Sequence, residues 1–196
     1  MDHNLLKADI IHLSETSLLT QDPDQFALPG FEATHCIVAR GKGVSTYYRA
    51  QLADRVVSTE TFEGTNFQLS KLQLGEMDSI HVYRSSDGSI PDTLAALQQM
   101  ISVDRPTLIS GDFNLCYRTN ATNTLTSELL VDGFEQLVTE ATQIMGGLID
   151  HLYWRDSSPE ARFQWPSVER KSPYYSDHDT LMVTLLDNKK PENSKQ

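Results

Sequence analysis

Acidic and amide side chains follow apolar runs of strand length at three places in the sequence. Glu15 follows the run IIHLS, and Asp150 follows GGLI. Between them, the motif GDFN at 111–114 follows the run TLIS. A strand end that leads into a loop is where rigid scaffolds usually hold reactive groups. Carboxylates at such positions can bind a cation or orient a water molecule, so these three strand ends are candidate catalytic positions.

The GDFN motif carries the most chemical information. Gly111 permits a tight backbone path after the strand, and Asp112 and Asn114 project to one side of an extended segment with Phe113 on the other. A carboxylate can deprotonate a water molecule, and a carboxamide can donate to a non-bridging phosphate oxygen. The pair therefore suits in-line attack on phosphorus. The alternative is an ordinary Asp/Asn turn without chemistry.

A histidine between two aspartates, in the segment YYSDHD, precedes the last apolar run. An imidazole takes or gives a proton near neutral pH, and a neighbouring carboxylate fixes its tautomer and raises its basicity. We therefore predict a dyad of Asp150 and His178, with Asp177 beside it. The alternative is that His178 is a polar turn residue, and that Asp150 and Glu15 are exposed charges at strand ends.

Length and charge restrict the class of protein. A chain of 196 residues fits one domain, which we place over residues 1–187, followed by a flexible polar tail over 188–196. The net charge of −11 argues against a broad basic surface that binds nucleic acid by charge alone. A phosphate substrate would then need a metal or local positive charge. Local positive charge could come from five basic residues, which are alternatively solvated surface positions: Arg40, Lys42, Arg49, Arg84 and Arg118.

We expect neither export nor membrane anchoring of this protein. No apolar run approaches the roughly 18 residues of a membrane-spanning helix. The N-terminal residues lack the pattern of a secretory signal, and two cysteines, Cys36 and Cys116, fit reduced thiols better than a disulfide framework. We therefore expect an intracellular protein, in the nucleus or the cytoplasm, with no membrane partner.

The elements that position these residues are mostly strands in the first half of the chain. We predict strands over 8–14, 33–40, 44–50, 54–60, 65–74 and 77–84. Helical spacing behind Ser89 and Pro91 predicts a helix over 90–103. The second half mixes both types, with a helix predicted over 125–131 and strands over 106–110, 136–138, 148–154, 161–165 and 180–186.

Taken in order, the motifs LSET, VYR, GDFN, IDH and SDH resemble the endonuclease/exonuclease/phosphatase superfamily of metal-dependent phosphoesterases. The likeness covers most of residues 5–186. The segments 133–154 and 174–179 look most like versions encoded by retrotransposons or Helitron-type mobile elements. The resemblance implies an α/β (α+β) fold, a four-layer sandwich in which two packed mixed β-sheets are flanked by helices and the active site lies at one edge.

The resemblance also implies a role for each matching residue. Glu15 corresponds to a ligand of the divalent metal, and Asp177 to a carboxylate beside that metal. Asp112 corresponds to the residue that positions or activates the attacking water. The remaining correspondences are to groups around the scissile phosphate and the catalytic histidine: Tyr83, Asn114, Asp150 and His178. For Tyr83 the alternative is simple packing, and His151 is expected to have no chemical role.

One departure from the family pattern stands out. Members normally begin with a strand that bears an asparagine, tens of residues before the glutamate. Here fourteen residues precede Glu15, and Asn4 is too close to substitute. We therefore expect the first strand of the sandwich to be missing, which would leave its neighbours in the sheet with an uncovered edge.

The implied cofactor is Mg²⁺ or Mn²⁺, because several converging carboxylates repel one another unless a hard cation lies between them. The first hypothesis is metal-dependent phosphodiester hydrolysis, as a DNA endonuclease of mobile-element origin. Two alternatives remain: an inactive remnant or binding module of the same fold, and a phosphatase that acts on a phosphomonoester or an inositol phosphate. The partner is then DNA or another phosphoester.

Overall fold

The structure is a computed structural model that describes residues 5–18, 26–38, 42–120, 123–158 and 160–188. It contains eleven strands and three α-helices within those ranges. In chain order these are β1 (Ile10–Ser14), β2 (Phe31–Val38), β3 (Lys42–Arg49), β4 (Val56–Gly64), β5 (Phe67–Leu74), β6 (Met77–Arg84), α1 (Ile90–Met100), β7 (Thr107–Asp112), α2 (Tyr117–Asn120), α3 (Thr124–Val131), β8 (Glu135–Gln136), β9 (Asp150–Arg155), β10 (Ser167–Lys171) and β11 (Thr180–Thr184).

A six-stranded sheet in the order β4-β5-β6-β7-β9-β8 forms the centre of the molecule. Strands β4, β5 and β6 are joined by tight turns, in which Asn66 and Gly75 adopt positive φ angles of 64° and 54°. The pair β6–β7 is parallel and the other pairs are antiparallel, so the sheet is mixed. The parallel pair requires a crossover, and α1 provides it.

Helices cover one face of this sheet. Helix α1 begins at a capped end, where the Ser89 side chain accepts a hydrogen bond from the Asp92 backbone N–H. Asn123 caps α3 in the same way through the Thr126 backbone N–H. Leucines of both helices pack on the sheet in one buried cluster, which includes Leu94, Leu97, Leu125, Leu129, Ile80, Ile109, Phe113 and Tyr153.

Two smaller antiparallel sheets cover the opposite face. One has the order β1-β3-β2 and the other is the pair β10-β11. Val168, Leu181 and Val183 of the pair pack on a cluster that contains Leu108 and Leu152 of the central sheet. The predicted α/β sandwich is confirmed. In the described part of the chain, the two smaller sheets form a layer that is interrupted between β1 and β11, because these two strands belong to different sheets and do not pair.

The predicted elements differ from the observed ones mainly after residue 155. No strand forms over 161–165, where Phe163 makes only an isolated bridge to Asp187. The strand lies instead at β10, whose sequence SVERK is mostly polar because its outer face is solvated. The predicted tail falls almost wholly outside the described residues. Within those residues, no helix is long and apolar enough to cross a membrane, and both cysteines are free thiols.

Candidate active site

The register of the central sheet brings three of the predicted site residues into one row. Tyr83 of β6 pairs with Asp112 of β7, and Asp112 pairs with Asp150 of β9. Because neighbouring strands lie about 4.8 Å apart, these side chains occupy adjacent positions at one edge of the sheet. Residues that are 29 and 38 apart in sequence thus meet through strand pairing alone.

The GDFN loop holds Asp112 through two hydrogen bonds from Asn114. The Asn114 backbone N–H donates to Asp112 Oδ1 at 2.9 Å, and its Nδ2 donates to Oδ2 at 3.1 Å. Asn114 Nδ2 also donates to the Arg84 carbonyl at 3.0 Å, so the carboxamide is committed to fixing the loop. Asn114 has a φ of 47°, a conformation that asparagine tolerates better than most residues. Asn114 therefore orients Asp112.

Asp112 is a weak acid in this environment. Burial is the main cause of its raised pKa, which lies at about 7, and the nearby Asp150 carboxylate adds to the effect. The hydrogen bond from the Asn114 backbone opposes the rise only in part. A carboxyl group with a pKa near neutrality can accept a proton from water and release it again, as a general base requires.

Glu15 reaches the same edge from the opposite layer. It follows β1 with a φ of 51°, and its Oε1 accepts a hydrogen bond of 2.5 Å from the Tyr83 hydroxyl. The pKa of Tyr83 is raised far above its usual value by burial first and then by Glu15, so the phenol stays protonated and remains a donor. Tyr83 therefore has a polar role in this structure as well as a packing one.

Asp150 and His178 form the predicted pair. His178 Nδ1 lies 3.0 Å from both carboxylate oxygens of Asp150. The hydrogen bond to Asp150 is the main cause of the raised pKa of His178, which is about 9, and Asp112 and Asp177 add to it. The imidazole is therefore a cation at neutral pH, and it lies beside the carboxylates of the site.

Asp177 lies next to His178 but at the surface. Its carboxylate accepts a hydrogen bond of 3.3 Å from Gln143 Nε2, and its backbone carbonyl accepts one from the Ile144 N–H. Gln143 also forms an isolated bridge with His178. These contacts hold the loop that carries His178 against the segment before Asp150.

Donor chemistry at this edge suits a hard divalent cation. Ligand atoms of Asp112, Asp150 and His178 lie within 4.8 Å of one another, the one such group among the described residues. The imidazole Nδ1 already binds Asp150, and a protonated ring repels a cation. The carboxylates of Glu15, Asp112, Asp150 and Asp177 all border the same cavity, where oxygen ligands favour Mg²⁺ or Mn²⁺.

Several residues that support the site were not identified from the sequence. Arg84, considered above as a source of surface charge, is buried and donates to the backbone carbonyls of Phe113, Asn114 and Gly88. Thr142 is fully buried, and its Oγ1 accepts hydrogen bonds from the backbone N–H groups of Ile149 and Asp150. Neither role has a local sequence signal, because both depend on distant backbone groups.

Two of the other cations considered for local positive charge are engaged by other partners. Arg49 binds the Leu6 carbonyl and contacts Asp9, and Lys42 binds Asn66. Arg40 lies outside the described residues. His151 has a structural role, as expected, since its Nε2 lies 2.7 Å from the Leu115 carbonyl and its ring stacks on Phe113.

Comparison with known proteins gives similarity of structure alone. No protein-family model and no curated protein matches the chain. Among solved structures, the endonuclease domain of TRAS1, a telomere-specific non-LTR retrotransposon, matches with 14% identity and a TM-score of 0.62, covering 93% of this chain and 87% of that one.

Two further structures match equally broadly. The 3′ phosphatase NExo from Neisseria, bound to a product DNA hairpin, has 18% identity and a TM-score of 0.66, over 94% of this chain and 92% of that one. An endonuclease/exonuclease/phosphatase family protein from Bacteroides thetaiotaomicron has 14% identity and a TM-score of 0.59, over 93% and 82%. This chain therefore has the endonuclease/exonuclease/phosphatase fold.

Proposed function

We propose that this chain is a divalent-metal-dependent phosphodiesterase that acts on DNA, of the kind encoded by mobile elements. The observation that carries the proposal is the row of Asp112 and Asp150 with His178, in which a carboxyl group of pKa about 7 lies beside an imidazole of pKa about 9. General acids and bases in active sites are usually titratable groups whose pKa values are shifted towards neutrality or away from each other by their surroundings.

Each side chain has one task in this proposal. Asp112, oriented by Asn114, takes a proton from the attacking water. The imidazolium of His178, held by Asp150, binds a non-bridging phosphate oxygen and offsets its charge. Tyr83 keeps Glu15 in place through its hydroxyl. As the new bond from water oxygen to phosphorus forms, the bond from phosphorus to the leaving oxygen breaks.

The metal would be held by Glu15, with Asp177 as the carboxylate beside it. A bound Mg²⁺ or Mn²⁺ supplies positive charge that stabilises the phosphoryl oxygens during attack. Both carboxylates border the cavity that contains Asp112 and Asp150. The negative net charge of the chain makes such a cation more important for binding a polyanion.

DNA is the substrate that the comparisons favour. The Neisseria relative in structure is a 3′ phosphatase bound to a DNA hairpin, and the TRAS1 domain is a retrotransposon endonuclease. These activities are those of the two matched proteins, and this chain shares their fold. A 3′-phosphate on DNA is therefore the second substrate to test, in place of an internal phosphodiester.

The test is nicking of supercoiled plasmid with Mg²⁺ and with excess EDTA. We expect nicking that needs the metal and that is lost in Asp112→Ala and in His178→Ala. The exposed Asp104 and the half-buried His35, which lie outside the site, provide the matched controls Asp104→Ala and His35→Ala. Equal nicking by the wild type and both site variants would reject the proposal.

The alternatives have distinct outcomes in the same experiment. Release of phosphate from a 3′-phosphorylated oligonucleotide, without nicking, would support the phosphatase. Turnover of an inositol phosphate without either DNA activity would exclude DNA as the substrate. A folded protein that binds no Mg²⁺ by calorimetry and hydrolyses none of these substrates would be an inactive domain of this fold.

A further inference from the structure

The pair of Asp150 and His178 joins two layers of the sandwich that share no strand pairing. Asp150 begins β9 of the central sheet, whereas His178 precedes β11, which belongs to the two-stranded sheet of the opposite layer. Strand pairing fixes the spacing of neighbours within one sheet to about 4.8 Å, but it fixes no distance between these two residues. His178 Nδ1 nevertheless lies 3.0 Å from both carboxylate oxygens of Asp150. Contacts outside the two sheets must therefore set the separation of the pair.

Thr142 contacts the segments that carry both members of this pair. Its Oγ1 accepts hydrogen bonds from the backbone N–H groups of Ile149 at 3.3 Å and Asp150 at 3.1 Å. Its carbonyl oxygen accepts a hydrogen bond of 2.7 Å from the N–H of Asp179, the residue after His178. One residue therefore ties the start of β9 to the loop of the opposite layer.

The hydroxyl of Thr142 determines the backbone path at the start of β9. In a regular strand, successive backbone N–H groups point to opposite sides. The N–H groups of Ile149 and Asp150 instead converge on one oxygen, so the backbone departs from strand geometry at the residue that carries the carboxylate. This path sets the direction of the Asp150 side chain. It depends on the acceptor, because a buried N–H group without a partner costs free energy.

The segment that begins at Thr142 also holds the loop of His178. The Ile144 N–H donates to the Asp177 carbonyl at 2.9 Å, and the Thr142 carbonyl accepts from the Asp179 N–H. Both neighbours of His178 in the sequence are therefore hydrogen-bonded to this one segment. The loop cannot shift relative to Thr142 without breaking these bonds.

Burial fixes Thr142 itself. The residue is fully buried, and its β-branched side chain has few rotamers. Its backbone N–H donates to the Gly147 carbonyl at 2.9 Å, so its amide, its carbonyl and its hydroxyl all have partners. A residue held at three polar groups is a fixed point against which the two layers can be aligned.

We propose that Thr142 is the positioning residue of the Asp150–His178 pair. Its hydroxyl directs Asp150 through the backbone, and its carbonyl holds the loop of His178, so that the imidazole meets the carboxylate between the two layers. Thr142 is buried away from the substrate and acts only through these two residues. The consequence for hydrolysis rests on the proposed function, whereas the geometry of the pair does not.

Thr142→Val and Thr142→Ser separate the hydroxyl from the volume of the side chain. Valine keeps the shape and removes the acceptor, whereas serine keeps the acceptor and removes a methyl group. In EDTA, NMR of the imidazole N–H of His178 reports its hydrogen bond to Asp150. We expect a downfield resonance in the wild type and in Thr142→Ser, and its loss through exchange with water in Thr142→Val. Amide exchange at Ile149 and Asp150 should become roughly tenfold faster in Thr142→Val alone.

Plasmid nicking with Mg²⁺ adds a kinetic measurement. Misplacement of a catalytic group by about 1 Å can cost on the order of 10²-fold in rate, so kcat should fall by that order in Thr142→Val while KM is unchanged. Thr142→Ser should keep the wild-type kcat. The matched control is Thr107→Val, because Thr107 is also fully buried and its hydroxyl donates to the Arg105 carbonyl, at the end of β7 opposite Asp112. Thr107→Val should lower stability without lowering kcat.

Several results would overturn the proposal. Faster amide exchange in Thr142→Val with an unchanged His178 resonance and kcat would make Thr142 a structural residue only. Equal losses in Thr142→Ser and Thr142→Val, or an equal loss of kcat in Thr107→Val, would show that the hydroxyl does not position the pair.

The proposal stays testable if a variant or the proposed function fails. If Thr142→Val does not fold, rapid exchange of the Ile149 and Asp150 amides in the folded wild type would contradict the assigned contacts without any variant. If the wild type hydrolyses no phosphodiester, the proposed function fails, while the His178 resonance and the exchange rates still test the role of Thr142.

Discussion

At the scale of single residues, the site is built from groups whose charges depend on one another. The two carboxylates Asp112 and Asp150 are register partners, so ionisation of both is costly without a cation between them. Asp150 contacts His178, whose pKa rises to about 9, and the pKa of Asp112 rises to about 7, first through burial and then through the nearby Asp150. The same cost makes the cluster attractive to a divalent cation.

The raised pKa of Asp112 gives a prediction about the stability of the fold. Its folded pKa of about 7 exceeds the ordinary value of 3.8, so ionisation destabilises the folded state and the penalty is present at pH 8. In EDTA, Asp112→Asn should raise the free energy of unfolding by roughly 1–2 kcal/mol at pH 8, less than the full pKa shift implies because a hydrogen bond from Asn114 is weakened.

The gain from Asp112→Asn should disappear as the pH falls from 8 to 5, where the wild-type carboxyl group is protonated in the folded state. Urea denaturation at several pH values measures this. The exposed Asp104→Asn is the control and should show no such trend. A variant that is less stable than the wild type at pH 8 would contradict the assigned cause.

The pair of Asp150 and His178 gives a spectroscopic prediction. The raised pKa of His178 means that the ion pair stabilises the fold fully below about pH 6.5 and loses that effect as the pH rises through 9. In EDTA, Asp150→Asn should bring the pKa of His178 back to 6.5 or lower, because burial then acts without the main opposing contact. Titration of the imidazole resonances by NMR measures the change.

At the scale of elements, the strands and helices that depend on a local sequence pattern were predicted correctly. The features that depend on pairing between distant strands were missed. The apolar run before GDFN correctly indicated β7, and Ser89 correctly indicated the start of α1. The strand predicted over 161–165 was wrong, and β10 was missed, because one apolar residue, Val168, suffices where the other face is solvated. The order of strands that aligns Tyr83, Asp112 and Asp150 depends on contacts between distant segments, which no local pattern encodes.

The same limit applies to the site. Motif order indicated Glu15, Asp112 and His178, and the structure places all three around one cavity. The carbonyl contacts of Arg84 and the two hydrogen bonds that Thr142 accepts were not predictable, since backbone carbonyls and amides exist at every position. A side chain that fixes a backbone path has no sequence pattern of its own.

Gly111 is the element-scale test, because its backbone in β7 lies close to the Val82 backbone of β6. Its φ is 148°, and a Cβ at this position would lie 1.8 Å from the Val82 carbonyl oxygen. Gly111→Ala must move one strand of the parallel pair, so we expect a loss of at least about 3 kcal/mol in the free energy of unfolding and loss of plasmid nicking. Thermal and urea denaturation measure the first effect.

Gly133→Ala is the matched control for Gly111→Ala. Gly133 also has a positive φ, of 83°, but a Cβ added there would meet only an Arg155 side-chain carbon within 4 Å, at 3.8 Å. The cost there is backbone strain alone, about 1 kcal/mol. Equal losses in the two variants would show that close approach of the strands is not what requires glycine at 111.

At the scale of the whole molecule, buried histidines make the sandwich sensitive to acid. His12 of β1 and His81 of β6 stack between the layers with ring centroids 4.9 Å apart, and hydroxyl groups of Thr46 and Ser79 satisfy His12. Burial lowers the pKa of His12 to about 4 and that of His81 well below its usual value. Protonation of either ring would place an uncompensated cation between the sheets.

The expected result is a steep loss of stability between pH 6.5 and 4. His12, His81 and His151 have lowered pKa values, so each contributes stability that is complete above pH 6.5 and is lost as the pH falls towards 4. Asp112 acts in the opposite direction over this interval, because its raised pKa favours the protonated folded state. For these four groups the balance is a net uptake of about two protons on unfolding, or a loss of up to about 2.7 kcal/mol per pH unit, and His35, whose pKa is also lowered by burial, adds to this loss.

Removal of the opposing carboxyl group tests this balance. In Asp112→Asn the slope should steepen towards three protons, about 4 kcal/mol per pH unit, since only the histidines then titrate in this set. Urea denaturation from pH 7 to 4.5 gives both slopes, and NMR of the imidazole resonances assigns them. A wild-type free energy of unfolding that does not change over this interval would show that the imidazole rings are protonated or solvated in the folded state. The two layers would then be less tightly packed around His12 and His81 than the stacking of these rings implies.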